Sequence, residues 1–270
     1  MSDQLSLQLE PGLPHLPDDL RPMLPRPAAE PFDSSDHLFE PSWGGERVLA
    51  FIDVADRGPL RLLDGHGRDL AGLLPELADL PARIQARSAV IDGELVVVDA
   101  TGRADPAALG ARLRGEPGPA VAYLVFDLLV LDGRPLLGEP LWRRRDALRR
   151  SVTPGETVVA VPSIMGEGRA LQAAVRAQGI GWVMARVRTS PYLPGIRSRL
   201  WRLISAAPAA GSPSPNGTDL GASLSHGSMS HGSLSQASLG LEAAAPTVGP
   251  TSPAAPVLAV FRRLPFDDEA

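Results

Sequence analysis

"HLFEPSWGGERVLAF", residues 37 to 51, decides how this chain is read. Glu40, Trp43, the Gly44-Gly45 pair and Arg47 gather where an apolar strand begins. The alternation in "RVLAFIDV" (47–54) predicts a strand, because a half-buried strand repeats every two residues. The glycine pair permits a tight turn beside it. The spacing suits a strand and turn that hold a nucleotide, yet no charged nucleophile stands in it. The segment is either an active site or the remains of one.

The chain around it has 270 residues, room for one large domain or two small ones. Its net charge of -5 excludes a whole-chain basic footprint for nucleic acid and leaves a local basic face open. Cysteine is absent, so disulfides, thiolate nucleophiles and Cys-based metal sites are excluded. The first 30 residues hold acids and prolines without an apolar stretch of signal-peptide type, and no run approaches 18 apolar residues. The expectation is a cytoplasmic protein without a membrane span. All 26 basic residues are arginine. Arginine replaces lysine on a surface at little cost, but it stays protonated and cannot act as an amine nucleophile.

The pattern divides the chain into four parts. Residues 1–20 are polar and Pro-rich, a flexible N-terminal segment lying on the surface. Residues 21–205 carry regular patterning. "LRLLDGHGRDL" (60–70) reads as a strand and a turn at Asp64-Gly65. "LLPELADLPARI" (73–84) has apolar residues at helical spacing, with Pro75 placed early. "SAVIDGELVVVDATGR" (88–103) reads as two strand halves bent at Asp92-Gly93. A helix capped by Asp105 follows, then a buried strand (120–136) turning at Asp132-Gly133. "PLWRRRDALRRSV" (140–152) is an arginine-studded helix, and "GRALQAAVRAQGI" (168–180) a helix ended by Gly179. Residues 181–205 read as strand, Pro/Gly loop, strand.

Residues 206–255 are Ala, Pro, Ser and Gly with almost no charge, and contain a five-residue period, "ASLSH GSMSH GSLSQ ASLGL" (222–241). Such a composition buries too little apolar surface to offset its ordering entropy, so a disordered linker is expected. His226 and His231 recur in the repeat, but nothing nearby completes a metal site. Residues 256–270 regain apolar and charged residues. They read as a docking segment, as a strand or helix returning to the domain, or as a frayed tail.

Six stretches in order, "LFEPSWGGERVLA", "LLDGHGRDL", "AVIDGELVVVD", "VFDLLVLDGRPL", "GIGWVMARV" and "SPYLPGIRSRLWRLI", carry a resemblance. The chain from about Pro22 to Ser205 resembles the nucleotidyltransferase (adenylation) domain of ATP-dependent DNA ligases, of the bacterial type linked to end-joining repair. The resemblance implies an α+β fold, an ATP-grasp-like nucleotidyltransferase domain with two antiparallel sheets flanked by helices. It implies ATP and Mg²⁺ as cofactors, and a neutral lysine that attacks the α-phosphate to form a lysyl-AMP.

Residue by residue, the resemblance is partial. Where the family reads E-x-K-x-D-G-x-R, Glu40, Gly45 and Arg47 match, Ser42 occupies the nucleophilic lysine position and Gly44 that of the aspartate. A serine hydroxyl is a poor nucleophile without a positioned base, and no base is evident. Downstream, Gly65 replaces an arginine, and "DGHGRD" (64–69) with Arg68 reads as a hairpin turn. Asp92-Gly93-Glu94 is intact, and the resemblance implies that Glu94 lies at the nucleotide's sugar or the metal. Phe126-Asp127-Leu128 is intact too, with Phe126 resembling the residue that stacks on adenine. Taken alone, both also fit plain turn and core roles. Where the family reads E-G-x-V-x-K, Gly181 replaces the metal-associated glutamate, Trp182 the glycine and Arg186 the lysine. Leu203 and Ser205 stand for two further lysines after Trp201. The family also places an oligonucleotide-binding barrel next, and a linker with about 15 further residues makes no five-stranded barrel.

Backbone and packing positions survive, while phosphate, metal and nucleophile positions are replaced, mostly by uncharged residues. The expected catalytic set is therefore empty. A residual nucleotide site would comprise Glu40, Arg47, Glu94, Phe126 and Arg186. The leading expectation is a pseudo-ligase that binds a nucleotide, a nucleic-acid end or a DNA-repair protein. Arg143–Arg145, Arg149-Arg150 and the arginines of 197–202 offer a phosphate-contacting face, or a solvated one. The alternatives are an active ATP-dependent DNA ligase and a scaffold that presents residues 256–270 to a partner.

Overall fold

The computed structural model describes residues 16–17, 20–53, 60–206 and 252–266. Along the chain run β1 (Leu24–Pro27), β2 (Ser34–Ser42), β3 (Glu46–Asp53), β4 (Arg61–Asp64), β5 (Ser88–Val96) and α1 (Pro106–Leu113). There follow β6 (Ala122–Leu131), β7 (Arg134–Pro135), α2 (Leu141–Ser151), β8 (Val158–Ala160), β9 (Ile164–Gly166), α3 (Gly168–Ala177), β10 (Trp182–Val187), β11 (Arg197–Ser205) and α4 (Ala255–Phe261).

The strands form two sheets, β1-β11-β10-β2-β9 and β4-β3-β5-β6-β7, with β8 also on β6. Both are mainly antiparallel, and each carries one parallel pair, β1 with β11 and β6 with β8. Every residue of β5, and all but the last of β6, is buried. That is why these two strands read as near-continuous apolar runs: each is covered on both faces. One face of the second sheet packs under α1 and α2 on Val48, Ile91, Leu128 and Val158. The remaining apolar residues knit the two sheets to each other.

Two local expectations fail for identifiable reasons. Residues 88–96 are one continuous strand and no bend occurs at Asp92-Gly93. Gly93 serves close approach: a Cβ there would lie 2.4 Å from Tyr123 Cε2. Residues 73–84 are not an α-helix but belong to three short 3₁₀ turns, Ala71–Leu73, Pro75–Leu77 and Leu80–Arg83. Pro75 and Pro81 lack the N–H that an α-helical ladder needs, so the ladder never extends. Leu74, Leu77 and Leu80 are nonetheless buried, and that burial is what their spacing encoded.

Other local readings hold. Asp105 caps α1 by accepting from the Ala108 N–H at 2.9 Å, and Asp132 and Gly133 both take positive φ in the β6–β7 turn. Asp64 anchors its turn by accepting from the His66 and Arg68 amides. Gly179 has φ 75 just beyond α3.

The expected linker falls almost wholly on residues 207–251, outside the described residues, as do His226 and His231. Among the three readings of the last segment, the return to the domain is the one seen. It forms α4, which buries Val257 and Val260 and is followed by buried Leu264. Each such aliphatic side chain contributes about 1.5–3 kcal/mol by leaving water. Leu16 and Leu20 are buried against Met23, Tyr192 and Trp201, so the chain is anchored before residue 21.

Candidate active site

Strand register assembles the site. In the first sheet Ser42 pairs with Trp182 and Trp182 with Ser205. Glu40, Met184 and Leu203 form the next row on the same face, and Leu38, Arg186 and Trp201 the third. Alternate residues share a face, so Ser42, Arg186, Leu203 and Ser205 all lie on one side of the sheet. The facing strands of the second sheet bring Arg47, Asp92 and Glu94, with Arg47 and Glu94 in direct register. Phe126 arrives through a β-bulge. Gly93 pairs with Val125 and Asp92 with Asp127, so Phe126 is the extra residue of β6.

Glu40 is 1% exposed and forms ion pairs with both Arg145 and Arg186. Arg145 also donates to the Phe126 carbonyl at 3.1 Å and the Val161 carbonyl at 2.6 Å. Burial draws the Arg145 guanidinium down to about 10 and that of Arg186 to about 9. The Arg186 guanidinium carbon lies 4.1 Å from the centroid of the Phe126 ring, and that of Arg47 lies 4.4 Å from it. Both also lie against Trp201, at 4.6 and 5.2 Å. The ring expected to stack on adenine thus stacks on the chain's own arginines.

Arg47 forms a two-pronged bond to Asp92, at 2.5 and 2.6 Å. Burial works against its charge, but the Asp92 carboxylate prevails and raises its pKa. Tyr192 donates its hydroxyl proton to Asp92 at 2.6 Å and accepts from the Met23 amide. A third pair, Asp127 with Arg144, is bidentate at 2.8 Å with both side chains 0% exposed. Arg144 further donates to the carbonyls of Glu139 and Ser190.

Glu94 differs from these. It accepts the Ser42 hydroxyl proton at 3.1 Å and the Trp43 amide at 2.9 Å. Burial raises its pKa, and these donors and the nearby Arg47 charge lower it only in part. Gly44 takes φ 72, and a Cβ at Gly45 would lie 2.0 Å from the Leu95 carbonyl oxygen. The turn therefore needs glycine at 45 for close approach, and suits it at 44 for its backbone angle.

The five residues expected of a residual site, Glu40, Arg47, Glu94, Phe126 and Arg186, come together between the two sheets. Sequence reading did not assign Arg144, Arg145, Asp92 and Tyr192 to this site, although it singled out Asp92 in a motif and Arg143–Arg145 as a possible phosphate face. A signal existed: Leu141, Arg144, Arg145 and Leu148 stand at i, i+3, i+4 and i+7 of a helix, the inward stripe. All four are buried, whereas Arg143, Arg149 and Arg150 are exposed. The expected arginine face of this helix is thus divided between interior and surface.

The residues present do not fit a divalent cation. Gly181 brings no ligand, and no group of three acids or histidines gathers among the described residues. An adenine ring would have to displace Arg47 or Arg186 from Phe126.

A two-sheet α+β domain with these motif rows facing a cleft defines a nucleotidyltransferase-type domain. Residues 22–203 match the family model described as ATP dependent DNA ligase domain, and the chain belongs to that family. The multifunctional non-homologous end joining DNA repair protein LigD of Mycobacterium tuberculosis is 36% identical over 186 residues, covering 68% of this chain and 24% of that relative. DNA ligase C1 of Mycolicibacterium smegmatis is 32% identical over 193 residues, covering 66% of this chain and 54% of the relative. The chain thus matches about a quarter and about half of their lengths. A solved mycobacterial DNA ligase D complexed with ATP and MES superposes with a TM-score of 0.60 at 31% identity, covering 71% of this chain and 62% of that one. No helix among the described residues is long and apolar enough to cross a membrane.

Proposed function

We propose that this chain is a DNA ligase-like protein of repair or recombination that does not form an enzyme–AMP intermediate. One observation carries the reading: the site's carboxylates and the Phe126 ring are already engaged by side chains of this chain, although Arg186 Nε and Trp201 Nε1 are left without a hydrogen-bond partner. Ser42 is donated to Glu94, Glu40 is held by Arg145 and Arg186, and Phe126 is covered by two guanidinium groups. The Ser42 hydroxyl is donated to Glu94, and a hydroxyl is a far weaker nucleophile than the neutral amine the family uses. Leu203 and Ser205 supply no charge for phosphate, and arginine at 186 is spent on a carboxylate. The retained role is binding, with a nucleic-acid end or a DNA-repair protein as the partner class, in line with the repair function in the relative's name.

The rival is an active ligase, the activity that the relatives' names suggest. Incubation of the folded protein with α-labelled ATP and Mg²⁺ decides between them. No labelled adduct should form. A stable protein–AMP adduct overturns the proposal.

A further inference from the structure

The last helix fills a groove instead of lying on a surface. Val257, Val260, Phe261 and Leu264 stand at i, i+3, i+4 and i+7, and all four pack into the cluster that includes Trp43, Val96 and Ile180. Phe261 meets Trp43 edge to face, with centroids 5.7 Å apart, and Phe266 meets Phe261 at 6.2 Å. Polar contacts fix the ends. The Ala254 amide and the Ser252 hydroxyl both donate to the Glu156 carbonyl, at 2.9 and 2.8 Å. Arg263 donates to the Gln178 side-chain oxygen at 2.7 Å.

The groove is shaped for this occupant. Its floor includes the turn at Gly102, where φ is 87 and a Cβ would lie 2.4 Å from Val260 Cγ2. The Gly102 carbonyl accepts the Trp43 indole N–H at 2.8 Å, which sets the ring that Phe261 meets. The spacing and the apolar floor are those of an amphipathic helix bound in a groove. The helix joins the rest of the domain in sequence only through residues 207–251.

We infer that the groove between the 97–104 turn, the end of α3 and the Glu156 loop is a helix-binding site, and that residues 252–266 of the same chain are its ligand. The segment is a separable module held by contacts and tether, not a part without which the domain loses its fold. Because segment and groove belong to one chain, the binding is intramolecular, so the bound form prevails even with a modest intrinsic affinity. The inference is independent of whether the cleft forms an adduct.

The test uses the full chain with a single protease site inserted within residues 207–251. After cleavage, the released segment should co-elute with the core at micromolar concentration. A fluorescently labelled peptide of residues 252–270, added in excess, should then replace it, read by anisotropy, while the circular dichroism of the core stays unchanged. Labelled peptide carrying Phe261→Ala should need about tenfold more to reach the same occupancy, because it lacks the ring contact. Failure of the labelled peptide to enter over hours, with the cut segment still bound, makes the helix an integral core element and overturns the inference. Loss of the fold upon release overturns it too. Equal occupancy by the Phe261→Ala and unaltered peptides removes the groove as the binding site.

Discussion

Two ends of one cleft meet burial differently. At the arginine end, Glu40, Asp92 and Asp127 are almost wholly buried, and each carries a guanidinium partner from this chain. At the Ser42 end, Glu94 is buried less deeply and is hydrogen-bonded only by neutral donors. The contrast shows where charge survives in a chain without lysine. Position 186 carries a cation that Glu40 faces from inside the protein. Positions 42, 203 and 205, where the resemblance implies lysines that meet the ligand, are uncharged in this chain. A carboxylate buried beside an arginine penalises loss of that arginine at once. A cation that met only an external phosphate carries no such penalty.

The largest effect should come from breaking the arginine end. Glu40→Ala leaves the Arg145 and Arg186 guanidinium groups buried without their shared carboxylate. Breaking a buried pair costs about 3–5 kcal/mol. The denaturation midpoint should fall accordingly, with an unchanged denaturant slope if the unfolded state is unaffected. A loss below about 1 kcal/mol would show that solvent reaches these groups and that the cleft is more open than its burial implies.

Restoring the missing amine should do less. Ser42→Lys sets a larger side chain at a position 8% exposed, against Glu94. Overpacking costs about 1–3 kcal/mol, offset in part by the new ion pair. The variant should fold and still give no labelled adduct with α-labelled ATP. Gly44 and Gly181 still lack their carboxylates, and Arg186 still covers Phe126. An adduct would break the comparison, because the arginine end would then be a working nucleotide site lacking only its nucleophile.

Much of the fold was legible because the periodic signals were local. The alternation from Arg47, the cap at Asp105 and the turn at Asp132-Gly133 each depend on a few neighbouring residues. The errors came where a residue answers to something distant. Asp92-Gly93 looks like a turn, but Gly93 is small because Tyr123 lies across it from the next strand. The 73–84 leucines follow a buried face while two prolines forbid the helix. The resemblance made the site readable as departures from the family pattern at Ser42, Gly44, Gly181, Leu203 and Ser205. What stands in place of the family's contacts was not readable. The stacking of Arg47 and Arg186 on Phe126 depends on strand register and on the bulge that turns Phe126 into the cleft.

The smallest effect tests the Ser42 end. Glu94 has a pKa above its ordinary 4.5, chiefly through burial. The folded state therefore holds the proton more tightly than the unfolded chain does. The stabilisation from that proton is fully present below about pH 4 and is lost as the pH rises through the folded value. Glu94→Gln removes this titration while keeping an oxygen for the Trp43 amide, and the Ser42 hydroxyl turns to accept from the new amide. At pH 4 the variant should match the parent or fall slightly below it. Toward pH 7 it should equal or exceed the parent by up to about 1 kcal/mol, read from thermal melts across that range. In an enzyme whose glutamate holds a ligand, the stability gain would come with lost binding. Here the Glu94→Gln protein should bind every ligand of the parent equally well. A variant less stable at pH 7 than at pH 4, relative to the parent, would mean that Glu94 is held ionised by a cation. The Ser42 end would then resemble the arginine end after all.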